Sequence, residues 1–213
     1  MIDFSGYIEN IKSHFRKDQL KAFDSIVEYE TLKLASSGNN DTEGYQIFTP
    51  DFVVKDMCQA VGKELLDFSK TILEPTSGDG AFTTYIYQNR LNEIKSNFEI
   101  ESLRALSTIY SIEMDKELIE KQRNNVFTLI KLFIKKNGIE VNPTFFEMAK
   151  CIICKNFIWG MFNTEHSEGL LLGVDVAYRM PEAEKGKLVV IDMPVWEISE
   201  TNIDVHDEGV DLW

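Results

Sequence analysis

The chain has 213 residues, 44% of them hydrophobic, enough for one packed domain, and no run approaches the ~18 apolar residues of a membrane-spanning helix. Thirty-five acids oppose 22 bases for a net charge of -13, and no Lys or Arg follows Lys187. A protein that holds a duplex unaided presents a basic face to the phosphates, so this balance disfavours DNA binding by the isolated chain. Met1-Ile-Asp-Phe lacks a basic region followed by an apolar block, and cytoplasm is the expected compartment.

Residues 5–36 carry Ile8, Ile11, Phe15, Leu20, Phe23, Ile26 and Val27 at roughly helical spacing, which predicts a helix packed on the domain. Lys12, Arg16, Lys17 and Lys21 cluster there and read as a solvated face. Residues 37–44 are polar and predict a loop. Phe48-Thr-Pro50 then opens a helix. Thr49 suits the N-cap, Pro50 the first helical position, and Phe52, Val53, Met57, Ala60 and Val61 the buried face.

Residues 69–73 predict a strand, and 81–92 a crossover helix. Between them lies Glu74-Pro-Thr-Ser-Gly-Asp-Gly80. Gly78 and Gly80 permit a sharp turn and a close ligand approach to the main chain. A strand, a glycine turn and a helix form the nucleotide corner of an open α/β sheet, with the ligand beyond the strand's carboxyl end. The dinucleotide fingerprint would need a third glycine at position 83, which is Thr83, and no Gly-Lys-Ser/Thr follows for a phosphate loop. An acid at a strand end suits hydroxyls or a cation and suits a pyrophosphate poorly. S-adenosylmethionine, with a sulfonium, an ammonium and no phosphate, fits this pattern.

Residues 93–105 are charged and poorly patterned. Residues 107–112 predict the second strand, ending at Glu113, where a carboxylate can accept from both hydroxyls of a ribose. Met114 beside it could pack on an adenine ring. Residues 116–135 predict a long amphipathic helix, and Pro143 opens another short one. Residues 156–160 fall where a third strand belongs, and Lys187-Leu-Val-Val-Ile-Asp192 where a fourth does. Cys151-Ile-Ile-Cys154 has only His166 nearby to complete a zinc site, so two buried thiols are expected and no metal.

Glu74-Pro-Thr-Ser-Gly-Asp-Gly-Ala-Phe82 resembles the cofactor-binding motif of N6-adenine DNA methyltransferases from restriction-modification systems. Gln46-Ile-Phe-Thr-Pro50, followed by Val53, Val54 and Met57, resembles the short motif that precedes it in members with the cofactor half first. Ile109-Tyr-Ser-Ile-Glu-Met-Asp115 resembles the next motif. The three come in the family's order and span roughly residues 44 to 130. The resemblance implies an S-adenosylmethionine site at Phe48, Thr49, Pro50, Glu74, Thr76, Gly78, Gly80, Phe82, Glu113 and Met114. Family members often place an adenine-contacting acid after the third strand's glycine, and here that position is Met161.

In the family the fourth strand ends in Asn/Asp-Pro-Pro and an aromatic ring, which accept the target amino group and stack on the flipped base. Here it ends Asp192-Met-Pro-Val-Trp196, so the implied catalytic residues are Asp192, Pro194 and Trp196, with the ring one residue out of place. This is a degenerate catalytic loop or a coincidence, and decay is favoured.

The expected fold is therefore α/β, a three-layer Rossmann-like methyltransferase sandwich. Residues 1–43 would form a helical extension, 44–198 the cofactor-binding domain and 199–213 an acidic tail. Two functions follow. One is an S-adenosylmethionine-dependent adenine N6-methyltransferase of a restriction-modification or phage system, with Asp192 polarising the amine. The other is an inactive or truncated cofactor-binding domain, an accessory subunit whose partner supplies target recognition. A Rossmann oxidoreductase is disfavoured by the missing third glycine.

Overall fold

A computed structural model describes residues 1–34, 48–162, 177–178 and 194–207. The expected loop at 37–44 and the expected fourth strand, with Asp192, lie outside the described residues.

Three parallel strands form the centre: β1 (Ile72–Glu74), β2 (Ile109–Glu113) and β3 (Phe157–Trp159), in that spatial order. Leu73 lies opposite Tyr110, and Ile112 opposite Ile158. All five residues of β2 are buried, as in a parallel sheet covered on both faces, whereas β1 is only half-buried along its length. Helices α4 (Ala81–Glu93) and α5 (Phe98–Ser107) connect β1 to β2, and α6 (Lys116–Asn137) and α7 (Pro143–Asn156) connect β2 to β3. The chain is thus α/β with a parallel sheet.

Capping fixes the second crossover. Asp115 Oδ1 accepts from the N–H groups of Glu117 and Leu118 at the start of α6, and Gly138 closes it in a left-handed conformation. Asn142 caps α7, with Pro143 at the first turn, and the helix runs on to Asn156 rather than ending short. The segment 93–105 holds a helix its pattern did not announce. Ile100, Leu103 and Leu106 of α5 are its apolar core stripe.

The N-terminal residues break into α1 (Ser5–Ser13) and α2 (Lys17–Ser25), and 26–34 run extended. One long helix is replaced because α6 offers side-chain partners to the extended backbone. The N–H groups of Val27, Tyr29 and Lys33 donate to Asn124 Oδ1, Thr128 Oγ1 and Asn125 Oδ1. Phe4, Ile8, Ile11 and Phe23 share one core with α5, α6 and α7, so this segment is part of the domain's interior.

α3 (Asp51–Val61) starts one residue later than expected. Pro50 is the N-cap, and its carbonyl accepts from Val53 and Val54. The buried face is also corrected. Val54 and Cys58 are buried, while Phe52, Met57 and Val61 are exposed, because the helix rests on α4 along one narrow i, i+4 stripe.

Met161–Phe162 (β4) pairs antiparallel with Ala177–Tyr178 (β5). β6 (Pro194–Ile198) and β7 (Ile203–Asp207) form an antiparallel hairpin whose turn, from Ser199 to Asn202, falls at the expected start of the acidic tail. No helix of the described residues is long and apolar enough to cross a membrane.

Candidate functional site

Beyond the carboxyl end of β1 lies a cleft of about 420 Å³. Phe48, Thr49, Glu74, Thr76, Gly78 and Phe82 line it, six of the positions the sequence proposed. Pro50, Gly80, Glu113 and Met114 do not. The cleft continues along β1 to Ile72 and passes under Ile86 of α4.

The two glycines of the turn have different jobs. Gly78 (φ +57°) has no atom of the described residues within 4 Å of where a Cβ would stand, so among them it borders open space. Gly80 (φ +87°) is different: a Cβ there would lie 2.4 Å from Gln122 Cγ. The space that Gly80 leaves is filled by α6 and not by a ligand, which corrects the sequence expectation. Both residues take the left-handed backbone that glycine adopts without strain.

α6 holds the turn with three side chains from little more than one helical turn. Lys121 Nζ reaches Asp79 Oδ2 at 3.2 Å. Gln122 accepts from Ser77 Oγ at 2.8 Å and from Ser111 Oγ at 3.1 Å. Asn125 Nδ2 donates to the Asp79 carbonyl at 3.1 Å, while its Oδ1 holds the Lys33 N–H. The turn, the long helix and the extended segment 26–34 are therefore one hydrogen-bonded unit.

Glu113 is built into the same unit. Its Oε2 accepts the Gly78 N–H at 2.7 Å and its Oε1 the Asp115 N–H at 2.8 Å. It is 8% exposed. Its observed work is to clamp the turn. A ribose hydroxyl would have to join a carboxylate that already holds two backbone donors. Met114 is exposed and points its backbone carbonyl at Trp159 Nε1.

Two acids line the cleft, Glu74 and the Asp79 that Lys121 engages. Thr83 Oγ1 donates to Glu74 Oε2 at 2.9 Å. Burial pushes the Glu74 carboxyl up to about 7; hydrogen bonds from Thr83 oppose the shift, and the nearby charges of Asp79 and Glu113 add to it. A carboxyl so placed changes charge near neutral pH.

Of the expected catalytic residues, Pro194 and Trp196 are not brought to the cleft, and Asp192 lies outside the described residues. Trp196 Nε1 donates to Asn156 Oδ1 at 2.8 Å, and Asn156 Nδ2 donates to the Ser107 and Ile109 carbonyls. The Pro194 carbonyl accepts from the Tyr110 hydroxyl. Trp196 borders a separate depression with Thr71 and Thr108, the residues just before β1 and β2. It therefore sits at the amino ends of the strands, opposite the glycine turn.

Cys151 and Cys154 lie side by side on α7, both buried, and burial pushes both thiols up. Among the described residues no group of His, Cys, Asp and Glu is arranged to hold a metal ion.

Sequence reasoning missed Gln122, Asn125 and Thr83. The signal was a run of polar residues on the inner side of a long helix, Gln122, Asn125 and Thr128, where an ordinary amphipathic helix would be apolar. No protein-family model, curated protein or solved structure matches the chain.

Proposed function

We propose that the cleft binds S-adenosylmethionine or its demethylated product, and that the chain is the cofactor half of an adenine-methyltransferase-type assembly. The parallel sheet would then be the first half of a Rossmann-like methyltransferase sheet. One observation carries the proposal: the Glu74 carboxyl and the Gly78 main chain, which no described residue obstructs, border a single cleft at the carboxyl end of β1.

The residues present fit such a ligand. Glu74 offers an acceptor to an ammonium or a hydroxyl, and Phe48 and Phe82 offer ring surface. Among the described lining residues there is no Lys or Arg, which suits a ligand without phosphate. When bound, the cofactor would supply an electrophilic methyl group. The chain's own residues would position it, through the turn that Glu113 and α6 hold rigid.

The accessory-subunit reading is favoured over a self-sufficient enzyme. Pro194 and Trp196 are engaged in a hairpin at the far end of the sheet, so they supply no base-stacking ring at the cleft. The net charge of -13 also opposes phosphate binding by this chain alone.

Calorimetry with S-adenosylmethionine and S-adenosylhomocysteine tests the cofactor site. Gly78→Ala and Glu74→Ala should each weaken binding at least about tenfold, equivalent to ~1.4 kcal/mol, while the fold survives. Unchanged affinity in both variants would place the site elsewhere. A radiolabelled methyl-transfer assay on mixed genomic DNA, with and without lysate of the source cell, tests the accessory role. Incorporation should need the lysate.

A further inference from the structure

Thr83 occupies the position where a dinucleotide fingerprint would place its third glycine. Here the position supplies a hydroxyl. Thr83 lies in the first turn of α4, 1% exposed, and links two groups. Gln122 Nε2 donates to Thr83 Oγ1 at 3.0 Å, and Thr83 Oγ1 donates to Glu74 Oε2 at 2.9 Å.

The direction of this relay follows from its neighbours. Two hydroxyls, of Ser77 and Ser111, converge on Gln122 Oε1, which turns the Gln122 amide NH2 toward Thr83. A hydroxyl has one hydrogen to give. Thr83 accepts from Gln122, so its own hydrogen goes to Glu74. Oε2 is then an acceptor whether or not the carboxyl is ionised, and a proton taken up by Glu74 resides on Oε1. Among the described residues Thr83 alone donates a side-chain hydrogen bond to this carboxyl.

Resting on the reading of this cleft as a cofactor site, we propose that Gln122 and Thr83 are positioning residues that hold Glu74 so that Oε1 meets the ligand as an acceptor. The site then takes a ligand that presents an ammonium or hydroxyl donor there, and rejects one that presents a carboxylate or phosphate. The surrounding charges act in the same sense. Asp79 from the turn and Glu113 from β2 add negative potential, the Cys58 thiol of α3 is a further titratable neighbour among the described residues, and the Lys121 cation of α6 is engaged by Asp79. Glu74 carries its proton up to about pH 7 in the free protein. A donor ligand selects the ionised form, so binding releases a proton and strengthens as pH rises through neutrality.

The test begins without ligand. The Glu74 side-chain carboxyl is titrated by NMR in protein labelled at glutamate, in the wild type and in Thr83→Ser, Thr83→Val and Gln122→Met. Thr83→Val should move the midpoint to higher pH, because a hydrogen bond to the ionised form is lost. Thr83→Ser keeps the hydroxyl and should restore the wild-type midpoint. Gln122→Met frees the Thr83 hydroxyl to turn round and should also raise it; this variant decides the matter if Thr83→Val does not fold. An unmoved midpoint in Thr83→Val or Gln122→Met, or a Thr83→Ser midpoint equal to that of Thr83→Val, overturns the relay.

Calorimetry with S-adenosylmethionine follows. Thr83→Val should lose about tenfold in affinity at pH 6.5, or ~1.4 kcal/mol, and less at pH 8.5, where Glu74 is ionised in both proteins. An equal loss at both values overturns the link between the relay and the ligand. If the midpoints move as expected and the wild type binds no S-adenosylmethionine, the relay stands and the cofactor reading falls.

Discussion

The two ends of the parallel sheet handle buried charge in opposite ways. At the amino end, Arg90 is 0% exposed and every arm of its guanidinium is used. Nε donates to the Leu65 carbonyl, Nη1 to the Ala105 carbonyl and Thr108 Oγ1, and Nη2 to the Asp67 and Lys70 carbonyls. Burial draws this guanidinium down to about 10, which leaves it charged at neutral pH. At the carboxyl end, Glu74 is half-buried, and only Thr83 supplies it a side-chain donor among the described residues. One end spends its polar groups on the fold. The other leaves an acceptor beside an open cleft, which is what a ligand needs.

The sharpest way to break the contrast is to remove Arg90. Arg90→Leu leaves four carbonyls and a hydroxyl without their donor, and should cost about 3–5 kcal/mol of stability. Urea unfolding measures it. A loss below about 1 kcal/mol would mean that water replaces the guanidinium and that the amino end is less closed than its hydrogen bonds imply.

The glycine turn gives a finer contrast within one end. Gly80→Ala drives a Cβ to 2.4 Å from Gln122 at a positive φ, and should cost about 2–4 kcal/mol. Gly78→Ala meets open space and should cost only about 1 kcal/mol, from backbone strain. Equal destabilisation by the two substitutions would erase the division between a glycine kept for the fold and one kept for the cleft.

Much of this end was legible in the residues. Gly78 and Glu74, after the apolar Ile72-Leu73, mark a strand, a turn and an open position; α4, β2, α6 and β3 fall within a residue or two of their expected bounds, while β1 begins at Ile72 rather than at residue 69. What was not legible depends on partners distant in the chain. Gly80 reads as a ligand gap until Gln122 is seen to fill it, 42 residues on. Glu113 reads as a ribose acceptor until its oxygens are found on Gly78 and Asp115. The 26–34 segment reads as helix because Ile26 and Val27 continue a helical spacing, and only the side chains of α6 explain why it runs extended. The exposed Phe52 and Met57 mislead in the other direction, since an apolar stripe says that a face wants cover and not that the same chain provides it.

A smaller effect of opposite sign is expected at Glu74. Burial raises its carboxyl from the ordinary 4.5 to about 7 in the fold. The folded state therefore binds the proton more tightly than the unfolded one. Stability from this group is fully present below pH 4.5, declines as pH rises from 4.5 to 7, and stays low above 7. Glu74→Gln cannot ionise, so it should be more stable than the wild type by about 2–3 kcal/mol at pH 8 and nearly equal to it at pH 4. On the proposed reading the same variant should lose affinity for S-adenosylmethionine. A parallel pair of stability curves from pH 4 to 8 would show that Glu74 is not held in a dry site.

The smallest effect belongs to Trp196, and it separates the two ends by function. The indole joins Asn156, a buried residue that ties α7 to the Ser107 and Ile109 carbonyls at the start of β2, so the ring fastens the β6–β7 hairpin to the amino end of the sheet. Trp196→Phe keeps most of the ring surface and removes one hydrogen bond. It should cost about 1 kcal/mol in urea unfolding and should leave the affinity for S-adenosylmethionine unchanged. If a partner completes a methyltransferase, transfer by the assembly should survive this substitution, because the indole stands at the opposite end from Glu74 and Gly78. The combination that would reverse this assignment is specific. Methyl transfer abolished by Trp196→Phe, with stability and cofactor affinity both intact, would mean that the hairpin leaves its observed seat and carries its ring to the cleft.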